Sequence, residues 1–105
     1  MTQPRRGELW WGEIPELGRR PYLVMTRTAA IAVLNTVVVA PLTRTVRNIP
    51  TELPLGPSDG LPSDCAATFD GLRVVPKANL SDRIAVLDDM QMVAACTALR
   101  NAVAC

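Results

Sequence analysis

The chain has 105 residues, of which 49% are hydrophobic and 20% charged, and its net charge is +1. This length suits one domain that folds without metal or disulfides, and the composition excludes a disordered chain. The absence of histidine excludes serine–histidine and cysteine–histidine hydrolases, and three widely spaced cysteines indicate neither a zinc site nor a disulfide framework. With no apolar run long enough to cross a membrane and no signal region, we expect a soluble, cytoplasmic protein.

The first half of the chain is basic and the second half is acidic. Residues 1–50 carry seven arginines and three glutamates, whereas residues 51–105 carry four basic and seven acidic residues. All basic residues of the first half are arginine, whose planar guanidinium suits bidentate contact with phosphate. GC-rich codon usage would produce the same bias, so both explanations stay open.

The N-terminal segment is predicted to contain a basic arm and an aromatic strand. Residues 1–6 are typical of a flexible arm. A strand over residues 8–13 places one tryptophan on each face, so we expect Trp10 in the core and Trp11 at an interface or a ligand surface.

Two apolar, β-prone runs are predicted to be the central strands, over residues 21–26 and 36–42. Arg20 stands at the start of the first run, where Pro21 favours extended geometry and fixes the first φ angle. Thr43 stands at the end of the second run. The two side chains meet if these strands pair in antiparallel fashion.

The other segments are assigned from turn residues and periodicity. They comprise a Pro/Gly loop over 14–18, a helical turn or loop over 27–32, an edge strand over 49–55, a loop over 56–64, strands over 65–69, 72–76 and 83–87, and a helix over 90–104. Asp88 or Asp89 is the expected N-cap of that helix. These elements predict a mostly β fold with a C-terminal helix (α+β), built as a small, strongly bent sheet or barrel.

The closing helix carries one apolar stripe that we expect to pack on the sheet: Met92, Ala95, Cys96, Leu99, Ala102 and Val103. Cys65 and Cys96 are both interpreted as core thiols. Asp70, in an Asp-Gly turn, is expected to accept a hydrogen bond that closes the turn or the barrel.

Five motifs, in order and spacing, make nearly the whole chain resemble the MazF/PemK family of toxin endoribonucleases. They are Gly7-Glu8-Leu9-Trp10-Trp11, Arg20-Pro21-Tyr22-Leu23-Val24, Val39-Ala40-Pro41-Leu42-Thr43, Pro50-Thr51-Glu52-Leu53 and the strand that ends at Asp70. The resemblance implies one SH3-like domain of the CcdB/MazF type over residues 1–105 and a homodimer. It implies a type II toxin that cleaves single-stranded RNA sequence-selectively without a metal or other cofactor, and a cognate antitoxin as partner.

The resemblance also implies that Arg20 and Thr43 are the catalytic residues. RNA carries its own nucleophile, the 2′-hydroxyl, so an enzyme need only align it and stabilise the charge that develops on the phosphate. The expected products carry 2′,3′-cyclic phosphate and 5′-hydroxyl ends. Glu13 and Glu16, in or beside the preceding loop, are open either as proton-transfer groups or as solvated side chains.

Four further residues are candidates for RNA binding: Arg19, Arg44, Arg47 and Trp11. The arginines either contact phosphates or stay in solvent, and the tryptophan either stacks on a base or packs at an interface. Two other functions remain open: a toxin of the same fold that acts on a protein such as DNA gyrase, and a non-catalytic SH3-like module that binds RNA or protein.

Overall fold

The computed structural model describes residues 3–104, which form seven strands and two helices. Neither helix in this range has the length and hydropathy that a membrane crossing requires. The elements are β1 (Glu8–Ile14), β2 (Gly18–Val24), α1 (Thr28–Ile31), β3 (Thr36–Thr43), β4 (Glu52–Leu55), β5 (Cys65–Thr68), β6 (Arg73–Pro76), β7 (Leu80–Val86) and α2 (Asp89–Val103), with short 3-10 turns at Pro57–Asp59 and Lys77–Asn79.

The strands form one bent antiparallel sheet in the order β4-β5-β3-β2-β1-β7. Strand β3 is shared, because its C-terminal end pairs with β5 while its N-terminal part pairs with β6 on the same side. The prediction of a mostly β fold with a C-terminal helix is confirmed. Among the described strands the path stays open, since β4 and β7 end it without pairing to each other.

The second half of β2, residues 22–24, is buried on both faces, which explains its continuous apolar sequence. Leu23 lies in the helix-side core, together with residues of α2, whereas Tyr22 and Val24 lie in a second cluster on the opposite face. Trp10 belongs to this second cluster, as predicted, and its indole N–H donates to the carboxylate of Glu8 at 2.9 Å. A side chain alternates between faces at each residue, so a strand between two cores needs no polar positions.

Helix α2 begins as predicted and packs on the sheet mainly through the predicted stripe. Asp88 is the N-cap and exchanges hydrogen bonds with Gln91 in a capping box. Ala95 is buried in the helix-side core, and Met92, Leu99 and Ala102 pack against that core. The stripe differs from the prediction at two residues, because Val103 is exposed and the buried Ala98 was not predicted.

Strands β2, β4 and β7 each begin three residues away from the predicted start. Strand β2 begins at Gly18 rather than at residue 21 and ends at Val24 rather than at residue 26, because its pairing with β1 extends to the hairpin turn. Strand β4 begins at Glu52 rather than at residue 49, because a turn closed by Glu52 N–H and the Ile49 carbonyl precedes it, and it is the edge strand predicted. Strand β7 begins at Leu80 rather than at residue 83, because pairing with β1 continues through polar residues. The ambiguous segment 27–32 contains a single helical turn, α1.

The predicted flexible arm is held to the fold over its described part. Pro4 is buried, and the Arg6 guanidinium donates to the Met25 carbonyl and, at 3.2 Å, to Cys96 Sγ. Residues 1 and 2 lie outside the described residues. Cys96 is therefore half-buried beside a cation rather than a core thiol as predicted, whereas Cys65 is buried as predicted.

Candidate active site

The antiparallel pairing of β2 and β3 brings Arg20 and Thr43 to one end of the sheet. The register pairs Tyr22 with Pro41 and Val24 with Val39, and its continuation by two residues sets Arg20 opposite Thr43. Both residues line a cavity of about 370 Å³. The two strands pair in antiparallel fashion, as the prediction required, and both side chains line the same cavity.

Local sequence explains how Arg20 is presented to this cavity. The β1–β2 hairpin turns at Gly18, which adopts a φ of 73° that favours glycine. Across the hairpin, Gly12 pairs with Arg20, and a Cβ at Gly12 would lie 2.9 Å from Tyr22 Cδ2. Glycine therefore allows the Tyr22 ring to lie against β1 beneath the strand end. Arg20 is half-buried there, and its guanidinium has no hydrogen-bond or ion-pair partner among residues 3–104.

The hydroxyl of Thr43 is oriented by the backbone that follows it. Thr45 N–H donates to Thr43 Oγ1 at 3.2 Å. A hydroxyl that accepts one hydrogen bond still has its own proton to donate. Thr43 can therefore donate to an anion in the cavity, and Thr45 is a contributor that residue-type reasoning alone missed.

Trp11 and Arg19 form a second wall of the cavity. The Arg19 guanidinium lies over the Trp11 ring, with Cζ 5.0 Å from the ring centroid. Arg19 also donates to Asp82 Oδ2 and to Ser81 Oγ, each at 3.2 Å. Strand β7 thereby anchors Arg19 above the indole, and the pair presents a flat cationic surface.

The other two candidate arginines occupy different places. Arg44 is exposed and lines the cavity beside Thr43. Arg47 does not line the cavity, and its Nη1 instead donates to Oε2 of the buried Glu52 at 2.9 Å. The structure thus brings five of the six candidate site residues together and engages Arg47 elsewhere.

The far wall of the cavity was not predicted. It consists of Leu61, Pro62 and Ser63 from the loop before β5, together with the thiol-bearing Cys65. Asp59 positions this loop, because its carboxylate accepts from Gly56 N–H at 3.0 Å and from the Gln91 side-chain amide at 2.7 Å. Proline and glycine content identified the segment as a loop, but its place against the cavity depends on that contact with α2.

Two pKa values near the site are raised. Burial raises the pKa of Tyr22, and the nearby charges of Arg20 and Arg73 oppose that shift. Burial also raises the pKa of the Cys65 thiol, with further increases from the negative charges of Asp59 and Asp64. Cys65 is therefore a protonated, apolar part of the wall near neutral pH.

The candidate acidic groups lie away from the cavity. Glu13 and Glu16 are exposed, and neither lines it. Asp70 accepts a hydrogen bond from the Thr51 hydroxyl at 2.5 Å, as expected of a turn acceptor. In the part of the chain that the structure describes, no three His, Cys, Asp or Glu side chains form a group that could hold a metal ion.

Residues 5–103 match the family model described as PemK-like, MazF-like toxin of type II toxin-antitoxin system. The chain belongs to this family. It is also 46% identical, over 97% of its length and 94% of the relative's, to the probable endoribonuclease MazF5 of Mycobacterium tuberculosis. The resemblance stated from the five motifs is confirmed.

Solved structures of the family have the same fold as this MazF-family chain. The toxin MazF-mt6 of Mycobacterium tuberculosis superposes with a TM-score of 0.85 at 30% identity, covering 92% of this chain and 96% of the other. An endoribonuclease from a mycobacterial species, solved in complex with its cognate antitoxin, gives a TM-score of 0.85 at 30% identity, covering 96% and 95%.

Proposed function

We propose that this chain is the endoribonuclease toxin of a type II toxin–antitoxin pair, and that Arg20 and Thr43 act on the scissile phosphate of single-stranded RNA. The observation that carries the proposal is that one cavity is lined by Arg20, whose guanidinium has no partner among residues 3–104, and by Thr43, whose hydroxyl can donate a hydrogen bond. Membership of the MazF family and the 46% identity to a probable endoribonuclease support the same activity. The proposed toxin domain spans residues 1–105.

The chemistry is an in-line transesterification that uses a nucleophile from the substrate. The 2′-oxygen forms a new bond to phosphorus as the bond to the 5′-oxygen breaks. The 2′-hydroxyl loses its proton and the 5′-oxygen gains one, which leaves a 2′,3′-cyclic phosphate and a 5′-hydroxyl. Neither step requires histidine, which this chain does not contain.

Arg20 supplies positive charge where negative charge develops. Its guanidinium donates to the non-bridging oxygens of the phosphate, and such preorganised donors stabilise the transition state more than the ground state. A guanidinium keeps its positive charge in proteins and is a poor proton acceptor, so the proposed role of Arg20 is electrostatic. Thr43 donates its hydroxyl to the same phosphate, with its oxygen held by Thr45 N–H.

The remaining cavity residues bind the rest of the strand. Arg44 and Arg19 contact phosphates, and the surface formed by Trp11 and Arg19 supports a base. Arg47 is left out of this machinery because it does not line the cavity and its guanidinium neutralises the buried Glu52.

The partners follow from the family. Relatives solved with antitoxins support a cognate antitoxin here, whose disordered tail folds upon binding across a toxin homodimer. The proposed location is the cytoplasm, where the RNA substrate is found. The two other functions considered, a toxin acting on a protein and a non-catalytic module, do not need the Arg20–Thr43 pair.

The decisive experiment incubates the purified chain with mixed-sequence single-stranded RNA in excess EDTA and maps the fragment ends. We expect discrete fragments with cyclic-phosphate and 5′-hydroxyl ends, and none with Arg20→Ala. Arg27→Ala is the matched control, because Arg27 is an exposed arginine beyond the opposite end of β2. RNA that is bound but left intact by the wild-type chain would favour the non-catalytic module and overturn the proposal.

A further inference from the structure

The loop between β4 and β5 forms the far wall of the cavity without pairing to any strand. Within residues 3–104, the backbone hydrogen bonds of residues 57–63 stay inside the loop. Leu61 is buried in the helix-side core, whereas Pro62 and Ser63 are exposed and line the cavity. The position of these two wall residues therefore depends on the side-chain contacts of the loop.

One side-chain hydrogen bond connects this loop to helix α2. Asp59 Oδ2 accepts from Gly56 N–H at 3.0 Å and closes the turn, while Oδ1 accepts from Gln91 Nε2 at 2.7 Å. Among residues 3–104, the bond to Gln91 is the hydrogen bond by which residues 57–63 reach another element of the fold. A bond to a carboxylate is stronger than one between neutral groups, so Asp59 ties the wall to the helix.

Gln91 is a well-oriented donor because both ends of its side-chain amide are used. Its Oε1 accepts from Asp88 N–H at 2.9 Å, and Asp88 Oδ1 accepts from Gln91 N–H at 2.7 Å, which together form the capping box of α2. Since the amide oxygen faces the N-cap, the amide nitrogen faces Asp59. The start of α2 thus fixes the direction from which the loop is held.

The exposed wall residues have the chemistry that a nucleobase contact needs. Pro62 offers an apolar ring, and the Ser63 hydroxyl can both donate and accept a hydrogen bond. With a phosphate at Arg20 and Thr43, the neighbouring bases of an unpaired strand lie against the walls of the same cavity. A wall that fits one ring size and one base edge discriminates between bases, and a small displacement of the wall changes that fit.

We infer that Gln91, acting through Asp59, positions the wall formed by Pro62 and Ser63 so that the cavity selects the base next to the scissile phosphate. This inference rests on the proposed function. Gln91 lies on α2 and does not line the cavity, so it is a positioning residue. Pro62 and Ser63 contact the base, and none of these residues takes part in bond breaking.

Exchanging the donor and the acceptor isolates the effect of this one hydrogen bond. Gln91→Glu keeps an acceptor for Asp88 N–H but sets a carboxylate against Asp59, and Asp59→Asn keeps an acceptor for Gly56 N–H but sets two amide groups against each other. The two substitutions together restore the bond in the reverse direction and restore the net charge. The matched control combines Gln91→Glu with Asp89→Asn, which restores the net charge at an exposed residue of the same helix without restoring the bond.

The readout is base preference rather than overall rate. Single-turnover cleavage is compared for an oligonucleotide with the mapped cut sequence and for one in which each base flanking the cut position is changed from purine to pyrimidine or the reverse. We expect the ratio of the two rates to fall about tenfold in each single variant, to return to within about threefold of the wild-type ratio in the combined variant, and to stay low in the charge control. Pro62→Ala, which removes part of the wall directly, should lower the same ratio.

A merely structural role gives a different result. It would lower the unfolding midpoints of the single variants and leave the ratio of rates unchanged, which would overturn the inference. Failure of the combined variant to recover the ratio, or a wild-type chain that cleaves RNA without base preference, would also overturn it. In all three cases the nuclease proposal stands, because the wild-type chain still cleaves RNA.

A wild-type chain that binds RNA and leaves it intact contradicts the nuclease proposal instead. Base preference is then measured as enrichment among the sequences that the chain binds from a random pool of single-stranded RNA. Enrichment that is lost in Gln91→Glu and recovered in the combined variant supports the positioning role without cleavage, whereas equal enrichment in wild type and Gln91→Glu overturns that role as well.

Discussion

Arginines occupy two contrasting regions of this molecule. At the two buried glutamates, Arg83 bonds Glu8 at 3.2 Å and Arg47 bonds Glu52 at 2.9 Å, so each buried negative charge is matched. At the cavity the positive charge of Arg20 is not matched, because this half-buried residue has no anionic partner among the described residues. In the first region the chain supplies both charges, and in the second it supplies one and leaves the other to a ligand. A buried anionic partner, rather than the residue type, separates the structural Arg47 and Arg83 from Arg20.

The largest expected effect is on cleavage, from replacing Arg20. Removing one preorganised donor to a developing charge typically costs on the order of 10²–10³ in rate, and we expect this loss for Arg20→Ala in single-turnover cleavage. Arg20→Lys should recover part of the rate because it keeps the charge but loses the fork. The free energy of unfolding should stay the same or rise, since no internal partner is lost. A marked loss of stability in Arg20→Ala would show instead that Arg20 stabilises the fold.

Replacing Thr43 should also lower the cleavage rate, but by less than replacing Arg20. Thr43→Val keeps the shape and removes the hydroxyl, and the loss of a hydrogen bond to a charged group should lower the cleavage rate about 10- to 100-fold. Thr43→Ser is the matched control and should retain most activity. Equal rates for the valine and serine variants would contradict the donor role.

Replacing Arg47, which is paired with a buried glutamate, should affect stability rather than cleavage. In Arg47→Ala the buried Glu52 carboxylate loses its cation, and we expect the free energy of unfolding to fall by about 1–2 kcal/mol, since half of the Arg47 side chain is already in solvent. Denaturant unfolding measures this loss. Cleavage per folded molecule should be unchanged, whereas a drop in RNA affinity at preserved stability would return Arg47 to the RNA-binding group.

The smallest effect concerns the hydroxyl of Tyr22. Burial raises its pKa above the ordinary 10.0, so the protonated phenol contributes stability that is present below that pH and is lost as the pH rises through the folded pKa. Unfolding free energies across the alkaline range should therefore fall more steeply for the wild-type chain than for Tyr22→Phe. At neutral pH the phenylalanine variant should be equally or more stable, because the hydroxyl it lacks has no partner within residues 3–104. Parallel curves for the two proteins would show that the phenol is not desolvated.

The central strands and the Arg20–Thr43 pair were predictable because their signals are local. Apolar runs located β2 and β3, although β2 begins at Gly18 and β3 continues past Pro41 to Thr43, and antiparallel pairing of neighbouring strands is a short-range rule. The start of β7 was not predictable, because Ser81 and Asp82 are polar and join the strand only through β1, where they also anchor Arg19.

The rest of the site depends on contacts between distant segments. The wall at Leu61–Ser63 has no periodicity, and the bond between Asp59 and Gln91, which are 32 residues apart, sets its position. Charge counting placed Arg47 among the RNA-binding candidates, but only the fold reveals its buried partner, Glu52.

In the proposed mechanism, the cavity at Arg20 and Thr43 promotes attack by the substrate's own 2′-hydroxyl. The most direct measurement compares cleavage of two oligonucleotides that differ by one 2′-deoxyribose at the mapped cut position. We predict equal binding of the two and complete loss of cleavage at that position in the deoxy substrate. Cleavage of the deoxy substrate at the all-ribose rate would contradict the claim, since the nucleophile would then come from the protein or from water.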